Sequence, residues 1–298
     1  MTGTEFGDID EGTADLHTHT TASDGTSTVA ERVEQARARG LEAVAVTDHD
    51  RISDELEVRS RTIGGVELIT GVEVKAEARG TKVEILGYYV EPSAEELNEL
   101  LGRVRKYRKE RNREMTDRFV TVTGIETSYE EMCERADGSL GRPHFARLLV
   151  EEGFVETVSE AFDEYLGEDG DVYVPSEKVG YEAVIDAVHD AGGVASLAHP
   201  GRIDAETDEI RAMVAEMVEA GLDGIEVWYP YGEIAVGRGS DVGVEEAREL
   251  AEEHDLLRTG GSDCHGEGSE KFRIGDVRVP AEDLRRLRAE SSVRVEGS

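Results

Sequence analysis

Cysteine is nearly absent from this chain. Cys133 and Cys264 are the only two and lie far apart, which leaves no disulfide framework and no Cys-x-x-Cys site. Aromatic residues make up 5%, so Val, Ala, Leu and Ile must fill any core. Lysine is scarcer still, at six of 33 basic residues, against 67 acidic ones. No apolar run approaches the roughly 18 residues of a membrane span. The start, "MTGTEFGDIDEG", lacks the charged-then-apolar pattern of a secretory signal. A cytoplasmic protein is expected. There is no basic stripe, which argues against a face for duplex DNA. Repeats and low-complexity linkers are missing too.

What is present is acid. The net charge is −34, and a low-hydrophobicity chain so charged can be disordered. Here the charge is dispersed along periodic apolar segments, and hydrophobic residues reach 38%, enough for a core. The acidic, Lys-poor composition resembles that of proteins from salt-loving archaea. In roughly 1 M salt the Debye length falls to about 3 Å, so the acidity does not exclude a nucleotide substrate.

Short apolar runs alternate with amphipathic stretches. The strand candidates are residues 14–19, 43–48, 66–74, 82–90, 194–199, 224–229 and 257–263. Helical patterns at residues 27–40, 181–193, 208–221 and 243–255 fall between them. Such alternation predicts βαβ units and a parallel sheet, closed as a barrel or open. Residues 96–180 break the rhythm with a mostly helical pattern, read as an insertion. The barrel then comprises residues 14–95 and 181–280, with residues 1–13 and 281–298 as terminal extensions. The length suits one large domain with such an insertion.

Five of the eight histidines fall at or near the ends of the predicted strands. His17 and His19 form an HxH pair whose side chains point the same way on a strand. His49 follows "AVAVTD", His199 ends "VASLAH", and His265 follows "TGGSD". His144 opens a helix after "GRP", while His189 and His254 sit in ordinary helical patterns. Carboxylates accompany them: Asp24 after the first strand, Glu73 in "GVE", and Asp263 at the last strand. In βα folds those strand ends border the ligand site. Any one of these residues alone would be an ordinary core or turn residue. Together, without a cysteine cluster, they form a ligand set for Zn, Mn or Fe, too large for a single ion.

These motifs, in order, resemble the PHP (polymerase and histidinol phosphatase) superfamily of metal-dependent phosphoesterases. "DLHTHTTASDGTSTVAERVEQARARGLEAVAVTDHD" is similar to its opening signature. "LITGVEV", "GRPHFARLLV", "SLAHPGR", "GIEVWYP" and "TGGSDCHG" match later blocks, so the resemblance covers about residues 14–280. The branch most similar acts on nucleoside 3′,5′-bisphosphates and oligonucleotide 5′ ends. The resemblance implies a distorted seven-stranded (β/α)7 TIM-like barrel with a helical insertion and up to three divalent ions. It implies that His17, His19, Glu73 and Asp263 hold one ion. Asp24, His49 and His265 would hold a second, and Glu73, His144 and His199 a third. Two features depart from the branch. Glu84 stands where a His is usual, a candidate for metal binding or proton transfer. The stretch "YLGEDGDVYVP" is acidic where Lys or Arg is usual.

The chemistry follows from the ions. Divalent metals lower the pKa of bound water from about 15.7 towards about 7 and clamp the oxygens of phosphoryl transfer. The attacking group is therefore metal-bound water, and no side chain is assigned as nucleophile. Arg142 and Arg202 adjoin His144 and His199 and are candidate phosphate contacts, the guanidinium fork matching phosphate oxygens. Asp48 or Asp50 is expected to orient His49. Tyr88, Tyr89, Trp228, Tyr229 and Tyr231 either flank a base or pack beside the barrel mouth. The expected partner is a small phosphorylated nucleotide or a short single-stranded oligonucleotide, with no membrane. Histidinol-phosphate phosphatase is the alternative, and a non-catalytic metal-bound regulatory module is the alternative of another class. A proofreading role is not expected, since no polymerase domain accompanies the motifs.

Overall fold

The computed structural model describes residues 12–136, 140–167, 169–175, 177–232, 240–266 and 272–296. The chain divides into two compact units, Met1–Gly102 with Val179–Ser298, and Arg103–Lys178.

The first unit is built on one sheet in the order β1-β2-β4-β5-β6-β7-β8. Its strands are β1 (Ala14–Asp15), β2 (Ala43–Val46), β3 (Ser60–Ile63), β4 (Val66–Ala78), β5 (Thr81–Tyr88), β6 (Val194–Leu197), β7 (Gly224–Trp228) and β8 (Leu257–Gly260). β3 pairs only with β4, so seven strands form the barrel-like path expected from the sequence. Every residue of β2, β6 and β7 is buried, the pattern of parallel strands covered on both faces. Beyond its two residues of strand, the β1 chain continues alongside β8. Leu16 N donates to Gly260 O at 3.0 Å, and His19 N donates to Cys264 O at 3.0 Å, which brings the two ends of the path together.

The sheet is mixed rather than parallel throughout. β5 runs antiparallel to both β4 and β6. The cause lies in two residues. Arg79 and Gly80, at φ +51° and +83°, turn the chain between the paired residues Ala78 and Thr81. A parallel partner needs a crossover of about a dozen residues, so a two-residue turn forces a hairpin. Gly64 and Gly65 make the same kind of turn between β3 and β4. β3 itself, "SRTI", is too short and polar to read as a strand from sequence.

Helices of the first unit pack on the sheet. α1 (Val29–Ala38) opens on Thr28, whose hydroxyl accepts from Glu31 N while Thr28 N donates to Glu31, a reciprocal cap. α2 (Glu95–Thr123), α3 (Tyr129–Ala136), α4 (Arg142–Glu151) and α5 (Val158–Ala161) follow, with a π-helical turn at Phe162–Leu166. α6 (Tyr181–Asp190), α7 (Thr207–Glu219), α8 (Val244–Glu253) and α9 (Ala281–Glu296) complete the chain. α9 covers most of the stretch read as a C-terminal extension. Trp228 Nε1 and Arg258 both donate to Asp283 on this helix, which ties it to β7 and β8. The second unit has its own core, in which Met115, Phe119, Met132, Phe145 and Leu149 are fully buried. Of the N-terminal extension, residues 1–11 lie outside the described residues.

Candidate metal centre

Glu73 is the hub of the first unit's site. It lies on β4, is 1% exposed, and its two oxygens approach four histidines. Oε1 is 2.9 Å from His199 Nε2. Oε2 is 2.8 Å from His49 Nδ1, 3.5 Å from His17 Nε2 and 3.6 Å from His19 Nε2. Asp263 Oδ1 lies 3.2 Å from His19 Nε2, 3.4 Å from His265 Nδ1 and 3.7 Å from His17 Nε2. Asp24 reaches His265 Nε2 at 3.4 Å, and His19 and His49 at 3.7 Å each. Glu84 Oε2 is 3.5 Å from His199 Nε2. Four groups emerge whose donor atoms lie within 4.8 Å of one another. They are His19 with Asp24, His49 and His265; His17 with His19 and Asp263; His17 with Glu73 and His199; and His49 with Glu73 and Glu84.

These residues fit divalent ions. His17 Nε2, both ring nitrogens of His19, His49 Nδ1 and Glu73 Oε2 are buried without a hydrogen-bond partner. Each such orphan costs about 1–3 kcal/mol unless something satisfies it. Two or more cations shared among the donor groups would satisfy these atoms, with the two His19 nitrogens facing different ions. Backbone geometry points the same way. His199 and Asp263 have φ of +26° and +51°, a region costly for residues with side chains and concentrated at functional sites.

The electrostatics favour cation binding. Burial pushes the Asp24 and Glu73 carboxyls up, but the surrounding histidines outweigh it and hold both well below the usual range. Burial and the neighbouring His265 lower the His19 pKa to about 3, so its ring is neutral, as a metal ligand must be. Burial also opposes ionisation of Glu84, yet the Lys82 ammonium, 3.0 Å from Glu84 Oε1, keeps it charged.

Outer groups aim the ligands. Glu226, on β7 and fully buried, lies 3.1 Å from His17 Nδ1 and accepts from His199 N at 2.8 Å. One carboxylate thus turns the His17 Nε2 inward and fixes the strained His199 backbone. Sequence reasoning missed it. The available signal was a lone carboxylate inside the apolar run "GIEVW". Glu226→Gln is expected to weaken metal binding about 10- to 100-fold with the fold intact, measured by calorimetric titration of metal-free protein.

Asp48 does not orient His49 as expected. It accepts from Thr20 N, Thr20 Oγ1 and Ser23 Oγ at 2.8, 2.6 and 2.6 Å, and so pins the turn that carries Asp24. Asp50 accepts from Lys75 N. Asp48→Ala should lower stability by about 1–3 kcal/mol in a denaturant titration, because it strips buried donors of their acceptor. Asp15, also unforeseen, binds Ser262 and Gly275 and anchors the Asp263 loop. A Cβ at Gly261 would collide with His17 N and the Asp15 carboxylate, so only glycine fits between them.

Arg202 sits at this centre. Its Nη1 donates to Tyr229 Oη at 3.0 Å and to Asp263 Oδ2 at 3.4 Å. The five aromatic residues considered for base stacking are all buried, at 0–5% exposure, and pack instead. Cys264 is buried with its Sγ near Arg32 Nη1, away from the ligands. Arg142 and His144 belong to the second unit. Arg142 Nη1 donates to Leu166 O at 3.3 Å, and His144 Nδ1 lies 3.2 Å from Gly141. His144 is in none of the four donor groups. In the acidic stretch after Leu166, residue 168 lies outside the described residues.

The PHP domain model matches residues 15–254. This chain belongs to the PHP domain family. A 5′-3′ exoribonuclease of Haemophilus influenzae is 34% identical, over 84% of the PHP chain and 89% of the relative. A phosphoribosyl 1,2-cyclic phosphate 1,2-diphosphodiesterase of Eggerthella lenta is also 34% identical, over 90% and 99%. A 3′,5′-nucleoside bisphosphate phosphatase of Chromobacterium violaceum is 32% identical, over 88% and 90%. Among solved structures, a candidate metal-dependent phosphoesterase from Bifidobacterium adolescentis superposes with a TM-score of 0.71 at 30% identity, covering 95% and 98% of the two chains. All nine residues of the four donor groups are in the PHP region or just beyond it: Asp263 and His265 follow its last matched position. No helix among the described residues is long and apolar enough to cross a membrane.

Proposed function

We propose that this PHP protein is a metal-dependent phosphoesterase that releases phosphate from a small nucleotide. The favoured substrates are a nucleoside 3′,5′-bisphosphate and the phosphorylated end of a short single-stranded oligonucleotide. The observation that carries this reading is the meeting of nine His, Asp and Glu residues around Glu73, with five buried donor atoms that lack hydrogen-bond partners. Two or three ions of Mn, Zn or Fe would use the set, which contains imidazole and carboxylate but no thiolate.

When bound, such ions acidify water and neutralise charge on the phosphoryl group. The chain's own residues do the rest. His19 is shared by two donor groups, one with His17 and Asp263 and one with Asp24, His49 and His265, and Glu73 is shared by the other two, with His17 and His199 and with His49 and Glu84. Glu84, held ionised by Lys82, acts as a ligand rather than a proton donor. Arg202 presents its uncommitted guanidinium nitrogens to phosphate oxygens, and its Nη1 is fixed by Tyr229 and Asp263. Similarity to the phosphatase of Chromobacterium violaceum and the exoribonuclease of Haemophilus influenzae supports the substrate class. The charge of −34 with six lysines supports an enzyme working in high salt.

The test is phosphate release by protein purified in high salt with Mn²⁺. The panel is adenosine 3′,5′-bisphosphate, a short 5′-phosphorylated RNA, histidinol phosphate and phosphoribosyl 1,2-cyclic phosphate. Preference for either of the first two is expected. Preference for histidinol phosphate or the cyclic diester replaces the substrate assignment, and no turnover of any overturns the enzyme reading.

A further inference from the structure

The β4–β5 hairpin carries cations beside the donor groups of the metal centre. Side chains alternate along a strand, so residues two apart share a face. Glu73 and Lys75 therefore share one face of β4, and Lys82 and Glu84 share one face of β5. The register places Lys75 directly opposite Glu84, so all four are on the same side of the hairpin. This is the side of the metal centre, because Glu73 and Glu84 belong to one donor group with His49. Two of the chain's six lysines are thus on the hairpin face that carries Glu73 and Glu84.

Their hydrogen-bonding capacity is mostly open. Lys82 Nζ has three donors, and among the described residues its one partner is Glu84 Oε1 at 3.0 Å. Among the described residues the Lys75 ammonium forms no ion pair, and its backbone N is held by Asp50. Arg202 approaches from the turn after His199 and interacts electrostatically with both Glu84 and Lys82. Glu77 lies opposite Lys82 in the ladder, so the cationic strip ends there. Lys82 keeps the ligand Glu84 ionised, but Lys75 pairs with no ligand among the described residues, and both ammonium groups repel cations. An anionic group standing beside the metals would gain from them.

We propose that Lys75 and Lys82, with Arg202 at their edge, form a recess for a second anionic group of the substrate, the phosphate or phosphodiester that is not cleaved. This rests on the phosphoesterase reading and deepens it. The recess makes the enzyme select substrates with two anionic groups, as a nucleoside bisphosphate or an oligonucleotide end has, over simple monophosphates.

The experiment compares adenosine 3′,5′-bisphosphate with adenosine 3′-monophosphate and adenosine 5′-monophosphate. Both turnover and calorimetric binding are measured for the metal-loaded wild type, Lys82→Met and Lys75→Met, at the lowest salt that keeps the protein folded. A lost charge-assisted contact predicts that each variant raises KM and Kd for the bisphosphate about 10- to 100-fold. For Lys75→Met the monophosphates and kcat should be unchanged, and melting curves confirm folding. Equal losses on all three nucleotides in Lys75→Met would mean that this cation merely tunes the metal centre, and would overturn the proposal. So would a wild type that binds the bisphosphate no more tightly than the monophosphates. If binding shows the preference and its loss in the variants but nothing is hydrolysed, the recess stands and the enzyme reading falls.

Discussion

Chelation should abolish activity and lower the melting temperature together. Dialysis against EDTA leaves His17, His19, His49 and Glu73 with buried atoms that lack hydrogen-bond partners. Refilling the site with Mn²⁺ at a thousandfold excess over Kd adds about 4 kcal/mol per ion, since only the folded chain brings the ligands together. At about 2–4 °C per kcal/mol for a chain somewhat smaller than this one, one ion raises the melting point by roughly 10 °C. Phosphate release should fall to background on chelation and return on refilling. A calorimetric scan beside a phosphate assay checks both, and a melting point indifferent to metal would contradict the site's assignment.

Glu73→Gln should have the largest effect of any single substitution. The amide keeps the volume, so the sheet has no reason to rearrange. It loses the charge that approaches four histidines, and one of its two oxygens becomes an NH₂ donor facing ring nitrogens. Loss of one bridging carboxylate is expected to cost at least one bound ion per chain and about 10³-fold or more in kcat/KM, the scale of removing one preorganised electrostatic group. Elemental analysis of the purified variant and its steady-state kinetics give the two readings. Near-wild-type metal content with full activity would remove Glu73 from the centre.

The ligands were legible in the sequence because their chemistry is unusual where it stands. A His or Asp closing an apolar strand has no packing reason to be there, and four strand ends coincide in this: His17 with His19, His49, His199, and Asp263 with His265. Glu226 was not legible, although it is equally buried. It lies in mid-strand, and the sequence alone does not reveal that its neighbours just past β1 and β6 are the His17 ring and the strained His199 backbone. Glu84 drew notice only as a departure, and Lys82 drew none, because the reversed direction of β5 depends on the two-residue turn at Arg79 and Gly80. Read as a parallel strand, β5 would not bring Lys75 opposite Glu84. The aromatic residues were equivocal in sequence and proved to be core, which follows from how few large side chains this chain has to fill its interior. The α/β class, by contrast, was legible from strand and helix alternation, since β2, β6 and β7 are apolar along their full length apart from Ser196 and Glu226, whereas the seven-stranded barrel followed only from the family resemblance and the antiparallel β5 was not foreseen.

Anomalous diffraction at the manganese edge, from crystals of the chain soaked in Mn²⁺, tests the convergence most directly. The account predicts at least two peaks near Glu73, each about 2.0–2.3 Å from histidine nitrogens and carboxylate oxygens drawn from both ends of the chain. Peaks only at surface carboxylates, or none within coordination reach of His17, His199 and Asp263, would contradict it.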